Sequence, residues 1–196
     1  RWSKFKFQRW SIVNVWLPSY LGQLENLEFL YIFNARLTGT IPPEYGMMSK
    51  LQGFVVVSTL LSGALPSEIG QLTELLYLNI GISNLNGTLP TELGALVNLL
   101  YFSTFYNRFT GTLPSSLQSM VYLQELNLNN NQFEGSIPSF LGSYPFLSIL
   151  SLDDNFFEGS LPSELSNAGS LQNFFINGNL LTGIDSLDFN KLVNLK

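Results

Sequence analysis

The side chains whose types best suit chemistry in this sequence are carboxylates. Asp153 and Asp154 are adjacent, with Glu134 before them and Glu158 after them in the chain. A carboxylate pair is a candidate for calcium binding or for acid and base catalysis. Consecutive residues that leave a strand point in different directions, however, and no further carboxylate recurs at the same phase in neighbouring segments. We therefore expect solvated acids, no metal site and no catalytic residue.

The chain contains no cysteine and no histidine. Their absence removes disulfides, thiolate and imidazole chemistry, and the commonest zinc ligands. Only mechanisms based on carboxylate, lysine, serine or tyrosine remain open to an enzyme. We expect a protein that is not an enzyme and that uses no cofactor.

The composition predicts an ordered, acidic body. The 196 residues are 45% hydrophobic and 12% charged, which is enough apolar material for a core. The net charge is −5, although Arg1, Lys4, Lys6 and Arg9 make the start basic. No extended basic surface is present, so we expect no nucleic-acid partner. No apolar run reaches the roughly 18 residues that cross a bilayer, so we expect no membrane span in this chain.

One N-glycosylation sequon is present, at Asn86-Gly87-Thr88. It is expected to lie on a turn, where Asn86 is accessible to modification if the protein is secreted.

A repeat of constant length, with a period of twenty-four, organises the chain. Proline recurs at this interval at Pro18, Pro42, Pro66, Pro90, Pro114, Pro138 and Pro162. Leucine keeps the same interval at Leu27, Leu51, Leu75, Leu99, Leu123, Leu147, Leu171 and Leu195. An unbroken period indicates one elongated domain of stacked units.

Each unit is predicted to contribute one strand. Its opening alternates apolar residues with others, as at Leu126 and Leu128, which is the pattern of a strand with one buried face. Strands that all run the same way must stack into a parallel sheet. Asparagines follow the strands at a fixed offset, where their amides can satisfy backbone groups in the turns: Asn107, Asn131, Asn155 and Asn179. Ala35, Thr59 and Ser83 hold this position earlier, so we expect a less regular or softer N-terminal half.

Proline and glycine then bracket short segments on the other side of each unit. These segments are predicted to be 3₁₀ or irregular turns, because too few residues separate the breakers for a full α-helix.

The shared skeleton is LxxLxLxxNxLxGxLPxxLGxLxx, and the chain contains the stretches LTGTIPPEYG, LNGTLPTELG and FEGSIPSFLG. This skeleton resembles the leucine-rich repeat family and its plant-specific subclass with the LxGxIP element, over roughly residues 11–194. The resemblance implies an α/β solenoid: an arc with a parallel β-sheet on the concave face and 3₁₀ or irregular turns on the convex face. It also implies a non-catalytic recognition module, extracellular or on the cell surface, as in receptor-like or secreted proteins.

The expected organisation is a single domain over residues 1–196. Residues 1–26 form a degenerate first repeat with a one-residue insertion or an irregular strand. Seven repeats of equal length run from 27 to 194, and 195–196 open an eighth. The sequence lacks the cysteine-stapled caps that are common in the family, so we expect either a longer protein or a neighbouring subunit to cover the ends.

The residues that point away from the core on the first four strands are the candidate ligand site. They are mostly aromatic, with two arginines, and comprise Phe29, Tyr31, Phe33, Arg36, Val55, Val57, Tyr77, Tyr101, Phe105, Tyr106 and Arg108. Exposed aromatic patches commonly mark binding sites, so we expect a peptide or protein ligand here. The alternative is that these rings turn inward and fill gaps in degenerate repeats.

Two further functions stay open at the level of sequence. The missing caps and uneven charge fit a structural subunit of a larger assembly. A row of small residues after the recurring glycines fits an ordered lattice such as ice or a polysaccharide, and comprises Thr40, Ala64, Thr88, Thr112, Ser136 and Ser160.

Overall fold

The computed structural model describes residues 4–8, 15–183 and 186–196. Within these residues the strands are β1 (Lys4–Gln8), β2 (Val15–Trp16), β3 (Phe29–Phe33), β4 (Leu37–Thr38), β5 (Gly53–Val57), β6 (Ser62–Gly63), β7 (Tyr77–Asn79), β8 (Asn84–Gly87), β9 (Tyr101–Ser103), β10 (Arg108–Gly111), β11 (Glu125–Asn127), β12 (Gln132–Ser136), β13 (Ile149–Ser151), β14 (Phe156–Ser160), β15 (Asn173–Phe175) and β16 (Leu180–Gly183). The helical segments are all 3₁₀: η1 (Ser19–Gln23), η2 (Pro43–Met47), η3 (Ser67–Gln71), η4 (Thr91–Ala95), η5 (Ser115–Ser119), η6 (Ser139–Ser143), η7 (Ser163–Asn167) and η8 (Phe189–Lys191).

The odd-numbered strands form one parallel sheet of eight strands in the order β1-β3-β5-β7-β9-β11-β13-β15. Sequential strands are neighbours, as stacked units require. The 3₁₀ segments lie on the opposite side of each unit, and η1 to η7 follow the recurring prolines, whose φ angles are between −65° and −77°. The predicted solenoid, with its sheet on the concave face and its 3₁₀ turns on the convex face, is confirmed.

The prediction of one strand per unit is wrong, because most units contribute two. The even-numbered strands from β6 to β16 form a second parallel sheet of six strands, and β2 pairs with β4. The reason is that the chain stays extended after the turn that ends each main strand. Its N–H groups then reach the preceding unit, as where Asn84 N donates to Leu61 O at 2.8 Å.

The core lies between the main sheet and the 3₁₀ segments. The recurring leucines from Leu27 to Leu171 are 1% exposed or less. Three phenylalanines, Phe109, Phe133 and Phe157, stack in successive units with ring centroids 6.1 and 6.2 Å apart. Each unit therefore buries its apolar side chains largely against its neighbours, as stacked repeats do.

The predicted asparagine ladder is present in the second half of the chain. Asn131 Oδ1 accepts from Phe109 N at 3.0 Å, and its Nδ2 donates to Thr104 O at 3.0 Å and Leu128 O at 3.1 Å. Asn107, Asn155 and Asn179 repeat this set of bonds at the same offsets. Each ladder amide thus joins its own turn to the preceding unit.

The first unit is one residue longer than the unit that follows it. β1 pairs with β3 through Lys4 and Phe29, whereas Phe29 pairs with Gly53 on β5, and the first of these pairs is one position further apart in the sequence. The spacing between these paired strands thus includes one extra residue, while the expected degenerate repeat 1–26 stays a prediction, because much of it lies outside the described residues. At the other end, Lys196 N donates to Gln172 O at 2.9 Å, the bond by which earlier units also begin their pairing.

Among the described residues, no helical segment has the length and apolar character needed to cross a membrane.

Candidate ligand-binding face

The outward side chains of the main sheet form the candidate site, which we call the concave face. Strand alternation places Phe29, Tyr31 and Phe33 of β3 on this face, while Leu30 and Ile32 between them are buried. The strand register aligns the outward residues of successive units in rows. One row contains Phe29, Gly53, Tyr77, Tyr101 and Glu125, and the next contains Tyr31, Val55, Asn79, Ser103 and Asn127.

The aromatic residues predicted for this face contact one another. Tyr31 lies between Phe29 and Phe33, with ring centroids 5.6 and 6.3 Å away. Tyr77 and Tyr101 are stacked at 5.1 Å with an interplanar angle of 14°. Tyr101 is exposed and the other four rings are half-buried, so each presents part of its surface to solvent. The structure therefore places these residues on one face in two groups, one on β3 and one across β7 and β9, with Gly53 and Val55 of β5 between them.

Some of the rings also fill space above neighbouring glycines, which is part of the alternative considered from the sequence. A Cβ on Gly53 would lie 2.8 Å from Phe29 Cδ1 and 3.0 Å from Tyr31 Cε1. A Cβ on Gly81 would collide with the Phe105 ring. The glycines let these rings lean onto the next strand, which fixes their orientation without burying them fully.

Beyond the ends of the main strands, the exposed residues sit on a strained backbone. Ile82 and Tyr106 both have φ of +52° and are 43% and 54% exposed. The left-handed conformation is costly for a β-branched residue, at about 1–2 kcal/mol. Asn34, Asn130 and Asp154 occupy the same position in other units, and these residue types tolerate it better. Ile82 is thus held in an unfavourable conformation on the concave face.

The remaining predicted residues are two valines of β5 and two arginines that follow the main strands. Val55 and Val57 are half-buried on β5. Arg36 and Arg108 are exposed, and Arg108 Nη2 donates to Asn84 Oδ1 at 3.2 Å. Leu60 is 47% exposed and follows Arg36 by one repeat. Leu60 is not among the residues predicted from the sequence, although its spacing from Arg36 and Arg108 places it at the same position of the repeat.

The sequon residue Asn86 lies in strand β8 and not in a turn, so that expectation is wrong. The segment is extended because it pairs with β10, through Asn86 and Arg108. The Asn86 side chain is nevertheless exposed.

A depression of about 300 Å³ lies on the concave face between β5 and β11. Its polar lining comprises Tyr77, Asn79, Tyr101, Ser103 and Glu125. The Ser103 hydroxyl is buried and has no hydrogen-bond partner among the described residues. Burial raises the pKa of the half-buried Glu125 carboxyl. Ser103 is not among the residues predicted from the sequence, because the type of a residue does not reveal whether its hydroxyl has a hydrogen-bond partner.

The carboxylates that opened the sequence analysis do not converge. Asp153 accepts hydrogen bonds from Ser151 Oγ at 3.1 Å and Asn129 Nδ2 at 3.4 Å, whereas Asp154 is exposed. No group of three His, Cys, Asp or Glu side chains that could hold a metal ion occurs within residues 4–8, 15–183 and 186–196. The arrangement suits recognition by shape, aromatic contact and charge.

Comparison with known proteins agrees with this architecture. The family model described as Leucine Rich Repeat matches residues 122–144 and 146–168. The comparison with curated proteins found no match to this chain.

Solved structures give more extensive matches. The ectodomain of the plant membrane receptor kinase GASSHO1/SCHENGEN3 from Arabidopsis thaliana, in complex with CASPARIAN STRIP INTEGRITY FACTOR 2, is 37% identical with a TM-score of 0.85, over 87% of this chain and 20% of that chain. The Arabidopsis receptor kinase HAESA, in complex with the peptide hormone IDA and the co-receptor SERK1, is 33% identical with a TM-score of 0.83, over 92% of this chain and 30% of that chain.

A plant ice-binding protein shares the fold at 24% identity and a TM-score of 0.66, over 91% of this chain and 72% of that chain.

The present chain spans less than a third of each of the two receptor structures. The same family is indicated by the repeat skeleton of the chain, by its sheet of stacked units and by its likeness to the receptor structures. The chain belongs to the leucine-rich repeat family, in the plant-type subclass that also forms receptor ectodomains.

Proposed function

We propose that this chain is a non-catalytic recognition module that binds a linear peptide, or an extended segment of a protein, on its concave face. The observation that carries the proposal is the pair of aromatic groups on one face of the sheet, on β3 and across β7 and β9. Its rings are held in place by their neighbours and keep part of their area exposed. Preorganised aromatic side chains supply contact area at low entropic cost, which is why tyrosines so often dominate binding interfaces.

The dimensions of the face suit an extended peptide. Four strand spacings of about 4.8 Å separate β3 from β11, so a peptide of about six residues crosses this part of the sheet. The two receptor ectodomains described above were solved with a peptide hormone or an integrity factor bound, which supports the same class of ligand here. We propose an extracellular or cell-surface location on the same ground, as part of a receptor-like or secreted protein.

A peptide selection tests this proposal. A random 12-residue library displayed on phage is selected on the wild-type protein, and the enriched peptides are measured against the double variant Tyr31→Ala/Tyr106→Ala. We expect the affinity to fall by about 30-fold or more, since each of the two aromatic contacts removed costs about 1–2 kcal/mol of binding free energy.

A matched control is provided by a second aromatic pair outside the concave face. Tyr122 and Phe146 lie in turns before β11 and β13, are 51% and 52% exposed, and stack at 6.3 Å. Tyr122→Ala/Phe146→Ala should leave the affinities unchanged. Equal affinities for the wild type and the concave-face variant would refute the proposal.

The other functions considered from the sequence remain predictions with their own measurements. A structural subunit, joined to a neighbour at its ends, should self-associate in size-exclusion chromatography, whereas a recognition module should elute as a monomer. The row from Thr40 to Ser160 is exposed at each of its six positions, and a thermal-hysteresis assay tests whether it arrests ice growth.

A further inference from the structure

We propose that the depression between β7, β9 and β11 is a subsite for an arginine side chain of the ligand. In this subsite Glu125 is the counter-ion, Tyr77 and Tyr101 form the aromatic wall, and Ser103 accepts a hydrogen bond. The inference rests on the proposed function, because it adds the side-chain chemistry that the peptide-binding face selects.

The carboxylate provides the first step. Glu125 follows Tyr101 in the strand register and lines the depression beside it. It is half-buried, and burial raises the pKa of its carboxyl, with no contribution from a charged neighbour within the part of the chain that the structure describes. A carboxylate that loses water without gaining a partner is poorly compensated in the free protein, and a cation would restore the missing interaction.

The aromatic wall provides the second step. Tyr77 and Tyr101 are stacked at 5.1 Å, and both line the depression with Glu125. A cation is attracted to aromatic rings within about 6 Å. The same row of the sheet already contains such a contact at its other end, where Lys4 Nζ lies 5.2 Å from the centroid of the Phe29 ring.

Ser103 distinguishes a guanidinium from other cations. Ser103 lines the depression, the residue is 6% exposed, and its buried hydroxyl oxygen has no partner among the described residues. Buried hydroxyls are normally hydrogen-bonded, and a rotation of the Ser103 side chain toward the depression gives this oxygen a partner in the ligand. A guanidinium carries five donors in a plane and can contact a carboxylate, a hydroxyl and an aromatic face together, whereas an ammonium is a compact point charge.

The charge of the surrounding face favours the same ligand. Asp153 and Asp154 are on the concave face one repeat beyond β11, while Arg108 is directed to Asn84. Of the 14 acidic residues in the chain, none precedes residue 11, whereas four of the nine basic residues do. The carboxylates of Glu125, Asp153 and Asp154 therefore attract a basic ligand side chain to this part of the face.

A titration followed by NMR tests the subsite with three small probes: N-acetyl-arginine methylamide, its neutral isostere N-acetyl-citrulline methylamide, and N-acetyl-lysine methylamide with a free ε-amine. We expect the arginine probe to shift the amide signals of Tyr77, Ser103 and Glu125 at constant ionic strength. The citrulline and lysine probes should bind about 5-fold or more weakly, because they lack the charge or the planar donor set.

Variants separate charge recognition from general stickiness. Glu125→Gln should reduce arginine binding to the level of citrulline, and Ser103→Ala should narrow the preference for arginine over lysine. The matched control Glu134→Gln removes an exposed carboxylate from strand β12 and should leave binding unchanged. Amide spectra of each variant verify that it is folded.

The inference is overturned if the arginine and citrulline probes bind with equal affinity, or if Glu125→Gln leaves the affinity for the arginine probe unchanged. The selectivity for a guanidinium is overturned if the lysine probe binds as tightly as the arginine probe. These outcomes are separable from the fate of the proposed function. If selected peptides lose affinity in Tyr31→Ala/Tyr106→Ala but tolerate citrulline in place of every arginine, the peptide-binding function stands and the subsite fails. If the arginine probe behaves as expected but the aromatic variant has no effect on selected peptides, the proposed function fails.

Discussion

The asparagine ladder should stabilise the second half of the solenoid in a way that the first half lacks, and Asn131→Ala tests this. The Asn131 side chain is 7% exposed and makes the bonds already described to Phe109 N, Thr104 O and Leu128 O. The substitution leaves the buried Phe109 N–H without an acceptor. The carbonyls fare better, because Asn107 Nδ2 also donates to Thr104 O and Asn155 Nδ2 to Leu128 O.

The magnitude follows from these partners. One orphaned, buried N–H costs about 1–3 kcal/mol, and each bond lost to a carbonyl that keeps another partner costs less than the typical value of about 1 kcal/mol. We expect Asn131→Ala to lower the free energy of unfolding by about 2–4 kcal/mol. Thr59 is the matched position in the first half, where it contacts Ser83 Oγ at 2.7 Å and accepts a long bond from Leu61 N at 3.4 Å. Thr59→Ala should cost about 1 kcal/mol.

The assay is urea unfolding followed by circular dichroism, together with amide hydrogen exchange. Exchange at Phe109 reports the lost bond directly, and its protection should fall in Asn131→Ala but not in Thr59→Ala. Equal destabilisation by the two substitutions, or unchanged protection of Phe109, would refute the role assigned to the ladder.

Three further predictions concern the concave face. Gly81→Ala should lower the free energy of unfolding, measured by urea titration, by about 1–3 kcal/mol, because the new methyl group displaces the Phe105 ring. The control Gly169→Ala should change this free energy by less than about 0.5 kcal/mol, because open space surrounds the Cβ position. Ile82→Asn should raise the free energy of unfolding by about 0.5–1 kcal/mol, since asparagine adopts the left-handed conformation more readily; a loss of stability would contradict the strain inferred there. Burial raises the pKa of the Glu125 carboxyl in the folded state, so its contribution to stability is complete below the unfolded pKa of about 4.3 and is lost as pH rises through the folded pKa. Glu125→Gln should therefore be more stable than the wild type at pH 7. Melting curves should show this difference closing at about pH 4.

The sequence predicted the features that follow directly from period and residue type. Spacing alone located the recurring leucines in the core and the asparagines at the turns, because every unit meets the same neighbours. The expected softness of the N-terminal half stays a prediction, and hydrogen exchange across Ala35, Thr59 and Ser83 measures it.

Other features depend on three-dimensional relations that a period does not encode. The second sheet was missed because strands such as β6, with two residues, are too short for an alternating pattern. The contact of Phe105 with Gly81 depends on the side to which a ring turns. The unsatisfied hydroxyl of Ser103 depends on which acceptors and donors lie nearby. These relations bear on the candidate site more than on the fold, so the sequence predicted the fold better than the site.

The most direct test of peptide recognition is a crystal structure of this chain with the tightest peptide from the selection. We expect an extended peptide across β3 to β11, with its side chains against Tyr31 and Tyr106 and an arginine beside Glu125. A peptide bound to the 3₁₀ segments or to the turns around Tyr122 and Phe146, with the concave face empty, would refute this expectation.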